Sequence, residues 1–237
     1  MAGAYNAKIL ITGVGSGLGK ALAEAYLKRG DQVYAIGREY PKIFDHDPRF
    51  FFQPYDLGET FTLQAAIKPF IEHHRFDLVI LNAGVLGEIK PLRQTDLEEI
   101  KNVMEINVWA NKELIDALSR YSNVRQIVAI SSGAAVNGSK GWGAYSLSKA
   151  SLNMLIKVYA KELESIHFTA LAPGVIRTPM VEKILNTVDP KTFPSAARLK
   201  NGPIQTPQQA AKLLIETFPK LLDYESGSFL DVRTMDR

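Results

Sequence analysis

Short apolar runs separated by helical patterns recur from one end of this chain to the other, and that alternation constrains its fold more than any single motif does. "KILIT" (8–12), "QVYAI" (32–36), "FFFQP" (50–54), "LVILN" (78–82), "QIVAIS" (126–131), "HFTALA" (167–172) and "SFLDV" (228–232) read as strands. Most are uninterrupted and rich in β-branched or aromatic residues, as strands covered on both faces are. Helical patterns follow at 18–29, 60–72, 96–119, 145–164 and 207–217. The last of these opens with Thr206 as N-cap, Pro207 at the first helical position and Gln209 at the third. Strands that alternate with helices form a parallel sheet with helices on both faces. The expectation is an α/β fold of about seven parallel strands, doubly wound, in one domain spanning residues 1–237.

The totals agree with one large core: 237 residues, 46% of them hydrophobic. A formal charge of +3, spread without any basic block, is not the footprint of a nucleic-acid binder. The absence of cysteine excludes disulfides and thiolate metal sites and fits a reducing compartment. His73 and His74 are adjacent and would point about 100° apart on a helix, a poor metal pair, so they read as surface residues and no metal is expected. "MAGAYNA" lacks the charged and apolar regions of a secretory signal, and no apolar run approaches the roughly 18 residues of a membrane span. A soluble, cytoplasmic protein without a membrane partner is expected. The stretch 173–206 is irregular and rich in proline and lies beyond a strand's carboxyl end, where open α/β sheets bind ligands; it reads as a lid over a substrate.

Between the first strand and the first helix stands "TGVGSGLG" (12–19), with Gly13, Gly15, Gly17 and Gly19. Glycines let a backbone turn tightly and approach a pyrophosphate, which then meets a helix N-terminus. A Walker A loop does not fit, because Lys20 is followed by Ala21 and Val14 takes the place of its first glycine. GxGxxG fails at Leu18, whereas TGxxxGxG fits at Thr12, Gly13, Gly17 and Gly19. At the end of the second strand, where NAD binders place a carboxylate for the ribose, the chain has Gly37 and then Arg38. An arginine there pairs with the 2′-phosphate of NADP, which makes NADP(H) the expected cofactor.

Tyr145 and Lys149 are four apart and share a face if they lie on one helix. An ammonium near a phenol favours tyrosinate and lowers the phenol's pKa, and an oxidised nicotinamide would lower it further. Such a tyrosine can give its proton to a carbonyl oxygen. Ser132, at the end of a strand, is placed to hydrogen-bond the same oxygen.

At these residues the chain resembles the short-chain dehydrogenase/reductase family. The motifs "TGVGSGLG" (12–19), "DL" (56–57), "NAG" (82–84), "IN" (106–107), "SS" (131–132), "YSLSK" (145–149) and "PGVIRTPM" (173–180) come in the family's order over nearly the whole chain. The resemblance implies a Rossmann-type sheet and a catalytic tetrad of Asn107, Ser132, Tyr145 and Lys149. It also implies that Asn107 interrupts its helix, so that a backbone carbonyl holds a water linking Lys149 to solvent. Thr12, Gly13, Ser16, Gly17, Leu18 and Gly19 would form the phosphate loop, and Asp56 and Leu57 would flank the adenine. Asn82, Ala83 and Gly84 would line the cofactor together with Tyr145, Lys149, Pro173, Gly174, Val175, Ile176, Thr178 and Met180, with Thr178 on the carboxamide. Part of 96–119 would join 145–164 in the interface of a homodimer or homotetramer.

Within the family the chain looks most like sepiapterin reductases and benzil reductases, through "SKGWGAY" (139–145), "ARLKNGPIQTPQQAAKLL" (197–214) and "ESGSFLDV" (225–232). Asp231 matches the aspartate that anchors the pterin in the former, but it also reads as a turn residue ending the last strand. Trp142 reads as a substrate contact. Two departures concern the nucleotide end. Ser16 stands where many NADP-using members carry a basic residue, and the short stretch 37–49, with Pro41 and Pro48, is expected to lose the usual helix. The expected activity is NADPH-dependent reduction of a small aromatic or conjugated ketone or α-dicarbonyl, with Tyr145 as proton donor. The alternative is a non-catalytic NADP(H) sensor on the same fold.

Overall fold

The structure, a computed structural model, describes residues 6–235. In chain order its elements are β1 (Lys8–Thr12), α1 (Gly17–Arg29), β2 (Gln32–Gly37), β3 (Phe50–Pro54), α2 (Thr60–Ile71), β4 (Arg75–Phe76), β5 (Leu78–Leu81), α3 (Leu97–Met104), α4 (Ala110–Tyr121), β6 (Asn123–Val124), β7 (Gln126–Ile130), α5 (Ala134–Asn137), α6 (Gly143–Glu162), β8 (His167–Ala172), α7 (Pro179–Thr187), α8 (Pro194–Asn201), α9 (Pro207–Thr217) and β9 (Ser228–Asp231). Seven strands form one parallel sheet in the order β3-β2-β1-β5-β7-β8-β9, and the two-residue β4 and β6 pair separately.

Side chains alternate across a strand, so each run of apolar residues feeds two cores. Ile9, Ile11, Val33 and Ala35 pack on one side with Leu22 and Tyr26 of α1 and Leu214 of α9. Leu10, Tyr34 and Ile36 pack on the other with Leu63 and Ile67 of α2, Leu114 of α4 and Leu152 of α6. That is why the strands read as continuous apolar runs. Chain order reverses direction across the sheet between β1 and β5, and the crevice outside the carboxyl ends there is where a doubly wound sheet takes its ligand.

Local signals set the helix ends. Gly30, at φ 100°, closes α1 by donating to Leu27 and Tyr26, after Lys28 and Arg29 in the last turn. At α9 the expected capping box forms, with Thr206 and Gln209 satisfying each other's backbone N–H ahead of Pro207. Only a single 3₁₀ turn, Lys42–Phe44, stands in the short 37–49 stretch.

The helical pattern over 96–119 is interrupted by a π-helical segment, Glu105–Trp109, between α3 and α4, at the Asn107 position the resemblance implies. Two expectations are corrected. The stretch 173–206 is not structureless: α7 and α8 each start on a proline, and Ile184 and Ala196 bury against Leu86, Trp142, Tyr145 and Met180. His74 is half-buried against Tyr34 and Phe76, whereas His73 is exposed. No helix among the described residues is long and apolar enough to cross a membrane.

Candidate active site

The glycine loop is held from below by two polar side chains. Thr12 Oγ1 accepts the N–H groups of Asn82 and Ala83, both at 3.0 Å, and Asn82 Nδ2 donates to the carbonyls of Thr12 at 2.9 Å and Gly13 at 3.1 Å. Gly17, at φ 54°, lies under Thr178, where a methyl group would come within 3.1 Å of Cγ2. Gly19 packs so closely that a Cβ would stand 2.1 Å from the Gly13 carbonyl. Thr12 is fully buried, and neither it nor Gly19 is on the cleft wall. Both build the loop from behind.

Above the loop runs a cleft of about 950 Å³. Gly13, Ser16, Gly17, Leu18, Arg38, Asp56 and Leu57 line one end, Asn82, Ala83 and Gly84 the middle, and Ser132, Trp142, Tyr145 and Lys149 the other. Pro173, Gly174, Val175, Ile176, Thr178 and Met180, from the stretch that follows β8, form a further side. The open N-terminus of α1, with no acidic residue in its first turn, adds partial positive charge where a pyrophosphate would rest. Side chains on the loop would fill this cradle, so the residues fit a dinucleotide.

Arg38 lies 3.8 Å from Asp56, with both side chains largely exposed, so the pair is weak and the guanidinium is available. The structure also brings in a carboxylate that sequence reasoning overlooked. Glu39 lines the cleft, its Oε2 3.5 Å from where a Cβ on Gly15 would be. Its place directly after Arg38 was the available signal.

At the far end, β7 delivers Ser132 while α6 carries Tyr145 and Lys149. Lys149 Nζ donates to the Ile130 carbonyl at 2.8 Å and stands 5.6 Å from the centroid of the Tyr145 ring. Burial pushes the Tyr145 phenol up to about 12, against a hydrogen bond with the Ser132 side chain, and pushes Lys149 down to about 8. The expected depression of the tyrosine is therefore reversed, because desolvation outweighs the hydrogen bond with Ser132 that would lower the phenol. A high phenol pKa keeps the proton in place for donation.

Asn107 does not reach the cleft wall. Fully buried behind Gly84, it accepts the Val85 N–H at 2.8 Å and donates at 2.9 Å to both the Val85 carbonyl and Ser148 Oγ. The helix interruption is present, and the Asn107 carbonyl takes Asn111 Nδ2 at 2.8 Å. By this geometry Asn107 is a positioning residue that ties the loop after β5 to α6.

Residues 7–189 match the family model described as short chain dehydrogenase, more than half of the chain. The chain belongs to the short-chain dehydrogenase family. It is thus an oxidoreductase of a family that binds a nicotinamide cofactor. An uncharacterised oxidoreductase of Schizosaccharomyces pombe is 33% identical over 94% of this chain and 95% of its own. A benzil reductase of Bacillus subtilis, forming (S)-benzoin, is 28% identical over 94% of this chain and 97% of its own. Among solved structures, a short-chain dehydrogenase of Escherichia coli in complex with NADPH superposes with a TM-score of 0.78 at 25% identity, covering 97% of this chain and 98% of that one.

The substrate end of the dehydrogenase departs from the reading of Asp231. That carboxylate accepts from Arg233 three times, from the backbone N–H at 3.0 Å, Nε at 2.9 Å and Nη2 at 2.6 Å, which holds its pKa below the ordinary carboxylate value. Asp231 is absent from the cleft wall and Arg233 is on it. Asp231 is therefore placed as a support for Arg233, and its turn-residue reading is the one the geometry matches. Trp142 does line the cleft, edge-on to Tyr145 at 6.3 Å between ring centroids. Arg198 and Arg233 were not singled out from the sequence, because nothing local distinguishes them from surface arginines.

Proposed function

We propose that this dehydrogenase is an NADPH-dependent reductase of a small aromatic or conjugated ketone or α-dicarbonyl. The observation that carries the reading is the convergence of Ser132, Tyr145 and Lys149 at the end of a dinucleotide-sized cleft. Asn82–Gly84 and Thr178 would hold a reduced nicotinamide, which would supply hydride to the carbonyl carbon. Ser132 orients the carbonyl oxygen, Tyr145 donates its phenolic proton, and Lys149 adds positive charge beside the phenol and near the ribose. Arg38 supports NADPH over NADH through the 2′-phosphate, and the α-dicarbonyl class rests on the likeness to a benzil reductase.

The same reading extends to assembly and compartment. Leu97 and Trp109 on one helical stretch and Leu147, Met154 and Val158 on α6 are large apolar side chains left exposed, and we assign them to a homodimer or homotetramer interface. A cysteine-free chain suits a reducing compartment, and we place the reaction in the cytoplasm.

The test is NADPH consumption with a panel of α-diketones, simple quinones and sepiapterin, run beside Tyr145→Phe. Turnover of at least one diketone that disappears in the variant supports the reading; an inert wild-type protein that still binds NADPH overturns it.

A further inference from the structure

Charge is distributed unevenly along the cleft. Its only lining carboxylates among the described residues, Glu39 and Asp56, sit at the nucleotide end. From Ser131 onward the wall carries no acidic residue, yet it includes Arg198 and Arg233 beside the buried Lys149. A cleft with one sign of charge at one end concentrates ligands of the other sign there.

The arginines on this wall are not equivalent. Arg38 has Asp56 beside it, and Arg233 is held by both forks of Asp231. Arg198, on α8, has no carboxylate within ion-pair distance among the described residues. Its Nη2 donates only to two neutral hydroxyls, Ser139 at 3.2 Å and Ser195 at 3.0 Å. A guanidinium presents a fork matched to a carboxylate, and the exposed Arg198 has only hydroxyls and solvent around that fork. The bond to Ser139 also ties Arg198 to the turn that enters α6, since the Trp142 N–H donates to the Ser139 carbonyl at 3.2 Å and Tyr145 follows three residues later.

A second observation points the same way. The indole Nε1 of Trp142 is buried and has no hydrogen-bond partner among the described residues, although the ring lines the cleft. A buried donor without an acceptor is costly in a finished site. Trp142, Arg198, Ser139 and Ser195 line the same cleft as the apolar Met180, Ile184 and Leu199.

We propose that the substrate is an anionic carbonyl compound, an aryl 2-oxo carboxylate, whose carboxylate is anchored by Arg198 on the lid while its C2 carbonyl meets Ser132 and Tyr145. This rests on the reading of the cleft as a carbonyl reductase site and narrows the α-dicarbonyl class to members with a charged second carbonyl. The carbonyl carbon gains hydride and its oxygen a proton from Tyr145. The carboxylate is unchanged, and the nicotinamide leaves oxidised by two electrons. Arg198 thus selects and places the substrate without touching the reacting atoms.

The experiment compares phenylglyoxylate with its methyl ester, which keeps the shape and loses the charge, using the full chain and NADPH. The acid-to-ester ratio of kcat/KM should exceed one by about tenfold and fall by about that factor in Arg198→Gln, with Arg198→Lys between the two. Equilibrium binding of phenylglyoxylate to the Tyr145→Phe protein loaded with NADP should weaken in the same order and with added salt. An ester preferred over the acid, or a ratio and an affinity that Arg198→Gln does not move, overturns the anion anchor while leaving the reductase reading intact. If acid, ester and neutral diketones all go unreduced, the reductase reading fails instead, and the binding series alone decides whether Arg198 holds a carboxylate.

Discussion

Lys149 donates from Nζ to the backbone carbonyl of Ile130 at 2.8 Å, so the ammonium near Tyr145 is fixed by the last residue of β7, two before Ser132, rather than by the tyrosine itself. Hydride addition to a carbonyl needs a proton donor kept protonated until the oxygen gains charge. Burial meets that need for the phenol and imposes a penalty on the ammonium next to it.

The penalty is measurable as stability. Lys149 falls from 10.5 to about 8 on folding. Below pH 8 both states hold the proton and the folded state bears the full cost, about 3 kcal/mol at 1.36 kcal/mol per pKa unit. Between about 8 and 10.5 the unfolded chain binds more protons, so stability rises with pH across that window. Lys149→Met should abolish this rise. It should also leave stability at pH 7 no lower than wild type, because the gain is offset only by the orphaned Ile130 carbonyl, about 1–3 kcal/mol. Urea melts of both proteins at several pH values check it, and an unchanged pH slope refutes the assignment.

Tyr145→Phe keeps the ring and removes the proton. Cofactor affinity should hold while turnover falls about 10²–10⁴-fold. In the wild type, reduction should slow as pH rises through the Lys149 value of about 8, since a neutral amine no longer assists the phenol. Steady-state kinetics across pH, with cofactor binding by fluorescence, test both statements; a variant with near-normal turnover removes Tyr145 from the chemistry.

Much of this was legible in the sequence, for physical reasons that differ by element. The sheet was readable because Ile9, Leu10 and Ile11 are buried on alternating sides, which leaves no polar position in the run. The glycine loop was readable because a Cβ at Gly17 or Gly19 would collide with its neighbours. What sequence did not give was competition between long-range terms. The pKa of Tyr145 depends on how deeply α6 buries it, and the carboxylate of Asp231 is engaged by Arg233, two residues along. Helices α7 and α8 were hidden because their prolines, read as irregularity, occupy first-turn positions where helices accept them.

Two neighbouring residues should set cofactor choice in opposite senses. Arg38→Asp replaces attraction for the 2′-phosphate by repulsion, so the Kd for NADPH should rise far more than that for NADH. Glu39→Gln removes a carboxylate from the same end of the cleft and should favour NADPH further. Titrations of both cofactors decide the matter, and parallel changes in the two affinities would take cofactor selection away from this pair.

Asn107→Ala should act on the fold first. It deletes an acceptor and two donors in a fully buried site, orphaning the Val85 N–H. The expected loss is about 3 kcal/mol, seen as a Tm lower by roughly 6–12 °C for a domain of this size. A melting curve unmoved by the alanine change would contradict the positioning role.

Asp231→Asn separates a support from an anchor. An amide has one acceptor oxygen where Arg233 now uses two, so the guanidinium loses part of its grip and the cleft wall loosens. The change should cost about 1 kcal/mol at neutral pH, discounted because Arg233 is more than half exposed. The lowered pKa of Asp231 means the wild-type contribution is present above its ordinary value of 3.8 and lost as pH falls through the lower folded value. The stability gap between the two proteins should therefore close in acid. Kinetic losses should be alike for a diketone and for a substrate bearing a ring N–H, because the carboxylate does not face the cleft. A KM that rises for the N–H substrate alone, with melting unchanged at pH 7, would return Asp231 to the role of substrate anchor.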